Sequence, residues 1–600
     1  MFDRASRLQW RRKFRRSKRQ FEGIGQQAEE GVEKHFFKRV SRLTQVRRFI
    51  ASWVVLFILL IGGVLYQARS LGASYLSLQP APGGIYSEGI LGSFTNANPI
   101  YAASSVDNSV VNLVFAGLFT FDENNKLVGE LAKDWKVDER GLNYTVTLNE
   151  NLTWHDGKPL TSADVVYTYN MIKNPDAKSP LASSWQGIKI KAQGPNQVVF
   201  TLPSILSSFP YSMVNGILPK HLLDGVPPTQ LRSVTFNTKS PVGSGPFKWE
   251  AVEVIGSDTQ NRDQRIELVP FEDYVKGQPA IDKFLIRTFS EEEKLAEALE
   301  KREIDSAAGL SVMPENLKND TSLNDYNIAL SSSVYVFFKN TSEPFTNVNV
   351  RKALSYAVDP KQIVDNVNSP VGASNGPLLA GQLGYDKTIT QNVNNKQKAA
   401  NLLDKAGWRL NENNLREKAG KPLTFTLTTQ ENSTFNFVAQ QLKKQWSDIG
   451  VEVEIIEQRD TDLQSALTVH NYDALLYGIA IGSDPDVFAF WHSSQADLRS
   501  PNSLNFSEYS SAKADRALEA GRTREDVLVR TAKYKSFLEA WRDDAPAVAI
   551  YQPRYLYLVR DPLFNFSHKT MNNGSDRLND VSNWMVRREQ QPIPYKLPEQ

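Results

Sequence analysis

A chain of 600 residues is several times longer than one domain of about 100 to 200 residues, so more than one packed lobe is expected. Its composition, 41% hydrophobic and 23% charged, is typical of a folded globular protein and excludes wholesale disorder. Because the chain has no cysteine, disulfides, thiolate metal sites, catalytic thiols and lipidated cysteine anchors are excluded.

The chain has a net charge of +2, but this charge is distributed unevenly between the first 48 residues and the remainder. Residues 1–48 hold 15 Lys or Arg and 5 Asp or Glu, whereas the remainder holds 54 and 62, a net charge of −8. Such a basic leader either binds nucleic acid or lipid, or sets the orientation of a membrane helix that follows it. We favour orientation and expect no nucleic-acid partner. Residues 31–46 have the apolar spacing of a helix that lies on the inner leaflet.

The stretch Phe49–Tyr66, FIASWVVLFILLIGGVLY, carries no charge and is long enough to cross most of a hydrocarbon core of about 30 Å. A buried core helix is apolar mainly on one face, and a signal peptide has a shorter apolar core and a clear cleavage site. We therefore predict a retained single-pass helix at the cell membrane, with a cytoplasmic N-terminus and residues 70–600 outside. Cleavage near ARSLGAS is the alternative.

Residues 67–84 end in SLQPAPGG and predict a linker, so the extracytoplasmic domain is expected to begin near Ile85. Strand-like alternations such as LNYTVTL (142–148) and VEVEII (451–456) are mixed with helical patterns, which indicates an α/β chain. No repeat of fixed period is present in the sequence, which excludes solenoids and propellers.

Several short segments predict specific local structures. Thr161 and Asp164 form a capping-box pattern before a helix that should bury Val165, Tyr169 and Met171 or Ile172. Two further helices are expected to end at Gly407 and Gly450, because glycine adopts the left-handed conformation at low cost. The segment PVGSGPFKW (241–249) predicts a tight turn with a close backbone approach, and His155 in WHDG is expected to support a turn.

An enzyme is not expected. The six histidines are scattered, without the close spacing of a zinc site, and no G-x-S-x-G nucleophile motif is present in the sequence. The acidic pair Asp484 and Asp486 carries no spacing information for glycoside hydrolysis. We expect no catalytic residues, no metal and no cofactor.

The segments WHDGKPLTSADVVYTYN, PVGSGPFKW, VRKALSYAVDP, KAANLLDKAGW, KKQWSDIGVEVEI and YDALLYGIAIGSDPDVFAFWHSS occur in an order that resembles the family 5 extracellular solute-binding proteins. That family includes the oligopeptide-, dipeptide- and nickel-binding components of ABC importers. The resemblance extends over about residues 85–590, and the pair W-x-D-G-x-x-L-T-x-x-D-V and V-G-S-G-P-F is fairly specific.

The resemblance implies a bilobal periplasmic-binding-protein-like α/β fold of class II. Lobe one is expected to comprise residues 85–332 plus 553–587, and lobe two residues 334–545. The chain should cross between lobes near SSSVYVFFKN (331–340) and return near PAVAIYQPRYLYLV (546–559). Ligand binding would then close the lobes about a hinge.

By the same resemblance, we expect a monomeric, membrane-anchored receptor that captures a peptide or similar small solute in the interlobe cleft and delivers it to an ABC importer permease. The alternative is a ligand-sensing or adhesion receptor that uses the same fold without transport. The 48-residue basic leader is the feature that keeps this alternative open.

In peptide-binding relatives, the loop after the strand YDALLYGIA carries an aspartate that neutralises the amino terminus of the ligand. Here Asp484 and Pro485 match the D-P of that pattern, but Ile481 stands where the aspartate is expected. A ligand with a free amine therefore needs Asp484 or Asp486 instead. The remaining candidates, each of which has a packing or turn role as its alternative, are Asn98, Tyr101, Trp185 and Trp491.

Overall fold

The computed structural model describes residues 47–255, 263–499, 503–567 and 569–592. Residues 1–46 of the predicted leader lie outside the described residues. One compact unit comprises Pro80–Arg587, and a second comprises the residues before and after it.

The second unit contains helix α1 (Arg47–Tyr75), in which Phe49–Gln67 has a mean hydropathy of 2.5 and is 0% buried. Among the described residues, α1 is the one helix that is both long enough and apolar enough to cross a membrane. The predicted linker is not irregular here, since α1 continues to Tyr75 and strand β1 (Leu76–Ala81) follows and pairs with β23 (Arg587–Pro592). Residues 67–75 contain one glycine, Gly72, and no proline, so no helix-breaking proline occurs before Pro80 and the helix can continue.

Before residue 330, the described part of the body contains twelve strands and four helices. The strands are β2 (Ile85–Leu91), β3 (Phe119–Phe121), β4 (Leu127–Gly129), β5 (Ala132–Val137), β6 (Asn143–Leu148), β7 (Lys189–Ala192), β8 (Gln197–Thr201), β9 (Phe247–Ile255), β10 (Asp263–Pro270), β11 (Lys283–Phe289), β12 (Ser306–Leu310) and β13 (Leu323–Ala329). The helices are α2 (Ser105–Val114), α3 (Ser162–Lys173), α4 (Lys220–Leu223) and α5 (Glu292–Glu300).

The rest of the described body contributes nine strands and eight helices. The strands are β14 (Ser332–Phe338), β15 (Val371–Ala373), β16 (Arg409–Leu410), β17 (Arg416–Lys418), β18 (Lys421–Pro422), β19 (Thr424–Gln430), β20 (Glu452–Gln458), β21 (Ala474–Ala480) and β22 (Ala547–Arg560). The helices are α6 (Val348–Ala357), α7 (Pro360–Asn366), α8 (Lys396–Lys405), α9 (Ser433–Ser447), α10 (Asp460–Thr468), α11 (Phe488–Trp491), α12 (Ala512–Thr523) and α13 (Val527–Asp544), with short 3₁₀ turns such as Ser493–Gln495 between them.

A mixed sheet of twelve strands runs through the whole body in the order β20-β19-β21-β14-β22-β12-β2-β11-β10-β9, with β13 and β15 also paired to β22. The long strand β22 joins its two halves. Residues before Pro553 pair with β14, whereas those after it pair with β12 and β13. Pro553 cannot donate a ladder hydrogen bond, so it suits the point where the strand changes partners.

The hydrophobic cores divide at the same point. Three clusters draw their buried residues from Tyr86–Leu317 and Leu556–Trp584, and we refer to this part as lobe one. Two clusters draw theirs from Val334–Tyr551, which we refer to as lobe two. Lobe one also has a second, antiparallel sheet, β5-β6-β8-β7, which packs with α3 around a core of its own.

The local predictions are confirmed. The backbone N–H of Thr161 donates to Asp164 Oδ2 at 2.9 Å at the start of α3, which buries Val165, Tyr169 and Ile172. The turn glycines Gly407 and Gly450 have φ of +88° and +81°. The alternating segments are β6 and β20.

The predicted close backbone approach lies at Gly243, where an added Cβ would stand 1.8 Å from the carbonyl oxygen of Val114. His155 holds this turn. Its Nδ1 accepts a hydrogen bond from Gly243 N–H at 3.2 Å, so that Nε2 carries the proton and donates to the Gly245 carbonyl at 3.0 Å. Burial lowers the pKa of His155 to about 4, which keeps the ring neutral.

Candidate functional site

The candidate site centres on the loop that follows β21, residues 481–487, which we name the interlobe loop. The backbone N–H groups of Ile481 and Gly482 both donate to the carbonyl oxygen of Ser331, at 2.8 and 3.0 Å. Ser331 directly precedes β14, so these bonds fix the loop where the chain passes from lobe one to lobe two. The side chain of Ile481 is 8% exposed and packs in a lobe-two core.

Strand β21 presents an unpaired edge just before this loop. It pairs with β14 along its whole length, but β19 covers its other side only at Ala474–Leu476. Among the described strands, none pairs with Tyr477–Ala480 on that side. Backbone N–H and C=O groups along such an edge can bind another extended chain.

A cavity of about 420 Å³ adjoins this edge. Apolar side chains from α10, from α11 and from the segment after residue 503 line it, together with Gly478 and a few polar groups; the apolar ones include Leu467, Ile479, Phe490, Leu504 and Phe506. An extended chain bound at the edge of β21 would place alternate side chains toward and away from such a cavity.

The interlobe loop contacts lobe one directly. Ser483 Oγ donates to Asn572 Oδ1 at 3.0 Å, and Ser208 Oγ donates to Asp486 Oδ2 at 3.1 Å. Ser207 reaches across as well, because its backbone N–H and its hydroxyl both donate to the carbonyl oxygen of Arg522. Loop residues of lobe two therefore meet lobe one at several positions, as in a closed pair of lobes.

A second cavity, of about 440 Å³, lies beside these contacts and is lined by both lobes. Its lining combines apolar side chains, which include Leu202, Ile205, Leu206 and Phe488, with polar ones, which include Arg522 and Glu519. Space between the lobes therefore persists at this end of the interface.

Asp484 is held in a buried ion pair. Nη2 of Arg530 lies 2.9 Å from each carboxylate oxygen, and the two side chains are 7% and 8% exposed. Arg530 Nε also donates to the Gly521 carbonyl at 2.9 Å. Burial lowers the pKa of Arg530, but the Asp484 carboxylate and Tyr534 together raise it above its usual value, so the guanidinium keeps its charge.

Asp486 is paired with a second arginine. Arg522 Nε lies 3.1 Å from Asp486 Oδ2, and its guanidinium stands 4.4 Å from the centre of the Phe488 ring. Phe488 stacks in turn on His492 at 4.0 Å. Both acidic residues of the interlobe loop thus have positive partners from α12 and α13.

The other predicted site residues lie inside the cores. Asn98 is 0% exposed and forms a turn, with Oδ1 accepting from Ile100 N–H and Nδ2 donating to Asn237. The Tyr101 hydroxyl donates to the Ala177 carbonyl at 2.8 Å. Trp185 stacks on Tyr169 at 4.0 Å, and Trp491 packs on Phe337 at 5.6 Å. Of the seven candidates, the structure brings Ile481, Asp484 and Asp486 together in the interlobe loop, and the other four have partners within their own lobe.

Sequence reasoning missed the arginines and serines that hold the loop. Arg530 had a recognisable signal, because it falls on the buried stripe of α13 with Tyr534, Phe537 and Trp541. A charge on an apolar stripe indicates a buried partner of opposite charge. Ser207, Arg522 and Asn572 carry no such local signal.

The described residues contain no group of three or more His, Cys, Asp or Glu arranged to hold a metal ion. The model of the bacterial extracellular solute-binding proteins, family 5, matches residues 126–498. The chain belongs to this family. It is therefore a solute-binding protein with the bilobal family 5 fold, not an enzyme.

Two individual relatives illustrate the family's range. The oligopeptide-binding protein AppA of Bacillus subtilis is 28% identical over 488 residues, 79% of this chain and 87% of AppA. Its structure in complex with a nonapeptide matches with a TM-score of 0.65 and 26% identity, over 85% of this chain and 100% of that one. NikZ of Campylobacter jejuni in complex with Ni(L-His) matches with a TM-score of 0.66 and 25% identity, over 84% and 99%. This solute-binding protein is thus similar to receptors for both peptides and metal chelates.

Proposed function

We propose that this solute-binding protein captures an extended peptide between its lobes and delivers it to an ABC importer. The observation that carries the proposal is the unpaired edge at Tyr477–Ala480, which adjoins both a cavity with apolar and polar lining and the interlobe loop. A peptide can add to this edge through main-chain hydrogen bonds, which are independent of its sequence. A metal chelate would make no use of such an edge.

The lobes we propose comprise residues 85–332 plus 553–587 and residues 334–545. The separate cores and the change of partners at Pro553 support these limits. A bound peptide would favour closure by the contacts that it makes with both lobes at once. The contacts of the interlobe loop with Asn572 and Ser208 would form on closure and break on opening.

Native mass spectrometry of the protein as purified from cells, without refolding, tests this proposal. We expect peptides of mixed sequence to be released on denaturation. A single small solute or a metal complex would refute the peptide assignment. Small-angle scattering on a fragment that begins at Pro80, with and without an added peptide mixture, should show a smaller radius of gyration when peptide is bound.

We further propose that the protein is a monomer anchored by Phe49–Tyr66, with its N-terminus in the cytoplasm. The continuous apolar surface of α1 and the basic residues that precede it support this topology. Because the chain has no cysteine, single cysteines placed at Ser6 and at Ser511 can be labelled without background. A membrane-impermeant maleimide applied to spheroplasts should label Ser511→Cys and not Ser6→Cys. Labelling of both, or loss of the protein into the medium, would contradict the retained anchor.

A further inference from the structure

The interlobe loop has two carboxylates and no free negative charge. Asp484 and Asp486 lie two residues apart on the side of lobe two that meets lobe one. Two unpaired carboxylates in a cleft would attract a ligand ammonium group. Each of them, however, is neutralised by an arginine from the same lobe.

Asp484 is already paired with a cation of its own lobe. Both of its oxygens accept from Arg530 Nη2, and the side chain is 7% exposed. A ligand ammonium could pair with Asp484 only by displacing Arg530. The buried guanidinium would then lose its partner. The loss of such a partner is strongly unfavourable.

Asp486 is also occupied. One oxygen, Oδ2, faces Arg522 Nε and receives the hydroxyl of Ser208 from lobe one, so the carboxylate forms part of the contact between the lobes. Ile481, at the start of the loop, adds an aliphatic side chain. On the lobe-one side, Ser483 contacts Asn572. The backbone N–H of Asn572 donates to Asp576 Oδ2, so this lobe-one carboxylate also has a hydrogen-bond partner.

We propose that this receptor does not require a free amino group on its ligand, and that Arg522 is a specificity-determining residue because it neutralises Asp486 at the cleft. The inference rests on the proposed peptide-binding function and narrows its substrate class. Peptides with a blocked amino terminus, such as N-acetylated peptides, bind as tightly as their free-amine counterparts. Affinity comes from main-chain hydrogen bonds and side-chain burial, which an acetyl group leaves intact.

Two matched peptide libraries test the proposal. A random pentapeptide library is synthesised once with free amino termini and once with acetylated ones, and each is added to the full-length protein in detergent after removal of bound ligand. Native mass spectrometry then measures the fraction bound by competition between the libraries. We expect the two to compete within about threefold of each other. A preference of tenfold or more for the free-amine library would overturn the inference. If neither library binds, the peptide function itself fails, and the inference falls with it.

Two variants assign the effect to Arg522. In Arg522→Gln the Asp486 carboxylate loses its positive partner, and we expect the free-amine library to be preferred by at least fivefold. In the double variant Asp486→Asn/Arg522→Gln no charge remains at either position, and the ratio should return to that of the wild type. The double variant also changes the contact between Asp486 and Ser208, so the ratio of the libraries, not the overall affinity, is the readout. An unchanged ratio in Arg522→Gln would overturn the role assigned to Arg522.

Discussion

Ser207 binds the carbonyl oxygen of Arg522 twice, through its backbone N–H at 3.0 Å and its hydroxyl at 2.8 Å. The two residues are 315 positions apart in the chain and belong to different lobes. Together with the contact of Ser208 and Asp486, this pair joins the lobes beside the cavity of about 440 Å³ that both lobes line. If the lobes open and close about a hinge, as we propose, this contact would form only in the closed state and would contribute directly to the equilibrium between the open and closed forms.

Removal of the Ser207 hydroxyl should therefore weaken ligand binding without unfolding the protein. We expect Ser207→Ala to lose about 1 kcal/mol of closed-state stability, or about fivefold in peptide affinity. Titration calorimetry with a peptide identified from the purified protein measures this change. Ser240→Ala, at an exposed position of lobe one that lines neither of the two cavities, is the control and should bind as the wild type does. Equal effects of the two substitutions would contradict a role for Ser207 in closure.

Asp484 should matter for stability more than for ligand charge. Asp484→Asn leaves Arg530 buried beside a neutral amide, and we expect a loss of about 3 kcal/mol in the free energy of unfolding, measured with urea. Asp497→Asn is the control, because Asp497 pairs with Arg499 at the exposed surface and its loss should leave the free energy of unfolding nearly unchanged. The double variant Asp484→Asn/Arg530→Met should recover part of the stability. A stable Asp484→Asn protein with reduced affinity only for amine-bearing ligands would show that Asp484 contacts ligand.

His155 should make the stability of the body depend on pH. Its pKa is about 4 in the folded protein and near the usual 6.5 in the unfolded chain, so the unfolded chain binds more protons between these values. The contribution of His155 is therefore complete above pH 6.5 and decreases as the pH falls toward 4, by about 3 kcal/mol in total. The stability advantage of the wild type over His155→Gln, measured by urea unfolding, should shrink across that range. An advantage that stays constant from pH 7.5 to 4.5 would exclude this linkage.

Gly243 should not tolerate a side chain. A Cβ at this position would stand 1.8 Å from the Val114 carbonyl oxygen, which is part of the backbone and cannot rotate away. We expect Gly243→Ala to lose about 3 kcal/mol or more in the free energy of unfolding, or to fail to fold. Gly225→Ala is the control, because an added Cβ there meets nothing within 4 Å. Similar unfolding midpoints for both variants would show that the turn can move apart.

The sequence by itself predicted the features that depend on neighbouring residues. The capping box of Thr161 and Asp164, the left-handed turns at Gly407 and Gly450 and the apolar helix near Phe49 follow from short-range sterics and hydrogen bonding. The order of motifs along the chain also pointed to the family and hence to the bilobal fold. These signals survive in the sequence because each is complete within a few tens of residues.

Only the tertiary structure decided which of the candidate side chains are buried or already paired. Asp484 resembled a ligand contact in the sequence, but it forms an ion pair with Arg530, 46 residues later. Trp185 and Trp491 are buried in the hydrophobic cores. Asp486 meets Ser208 across 278 residues of chain. Burial and ion pairing depend on which distant segments the fold brings together, so a pattern of acidic or aromatic residues cannot show by itself whether their charges and faces remain available.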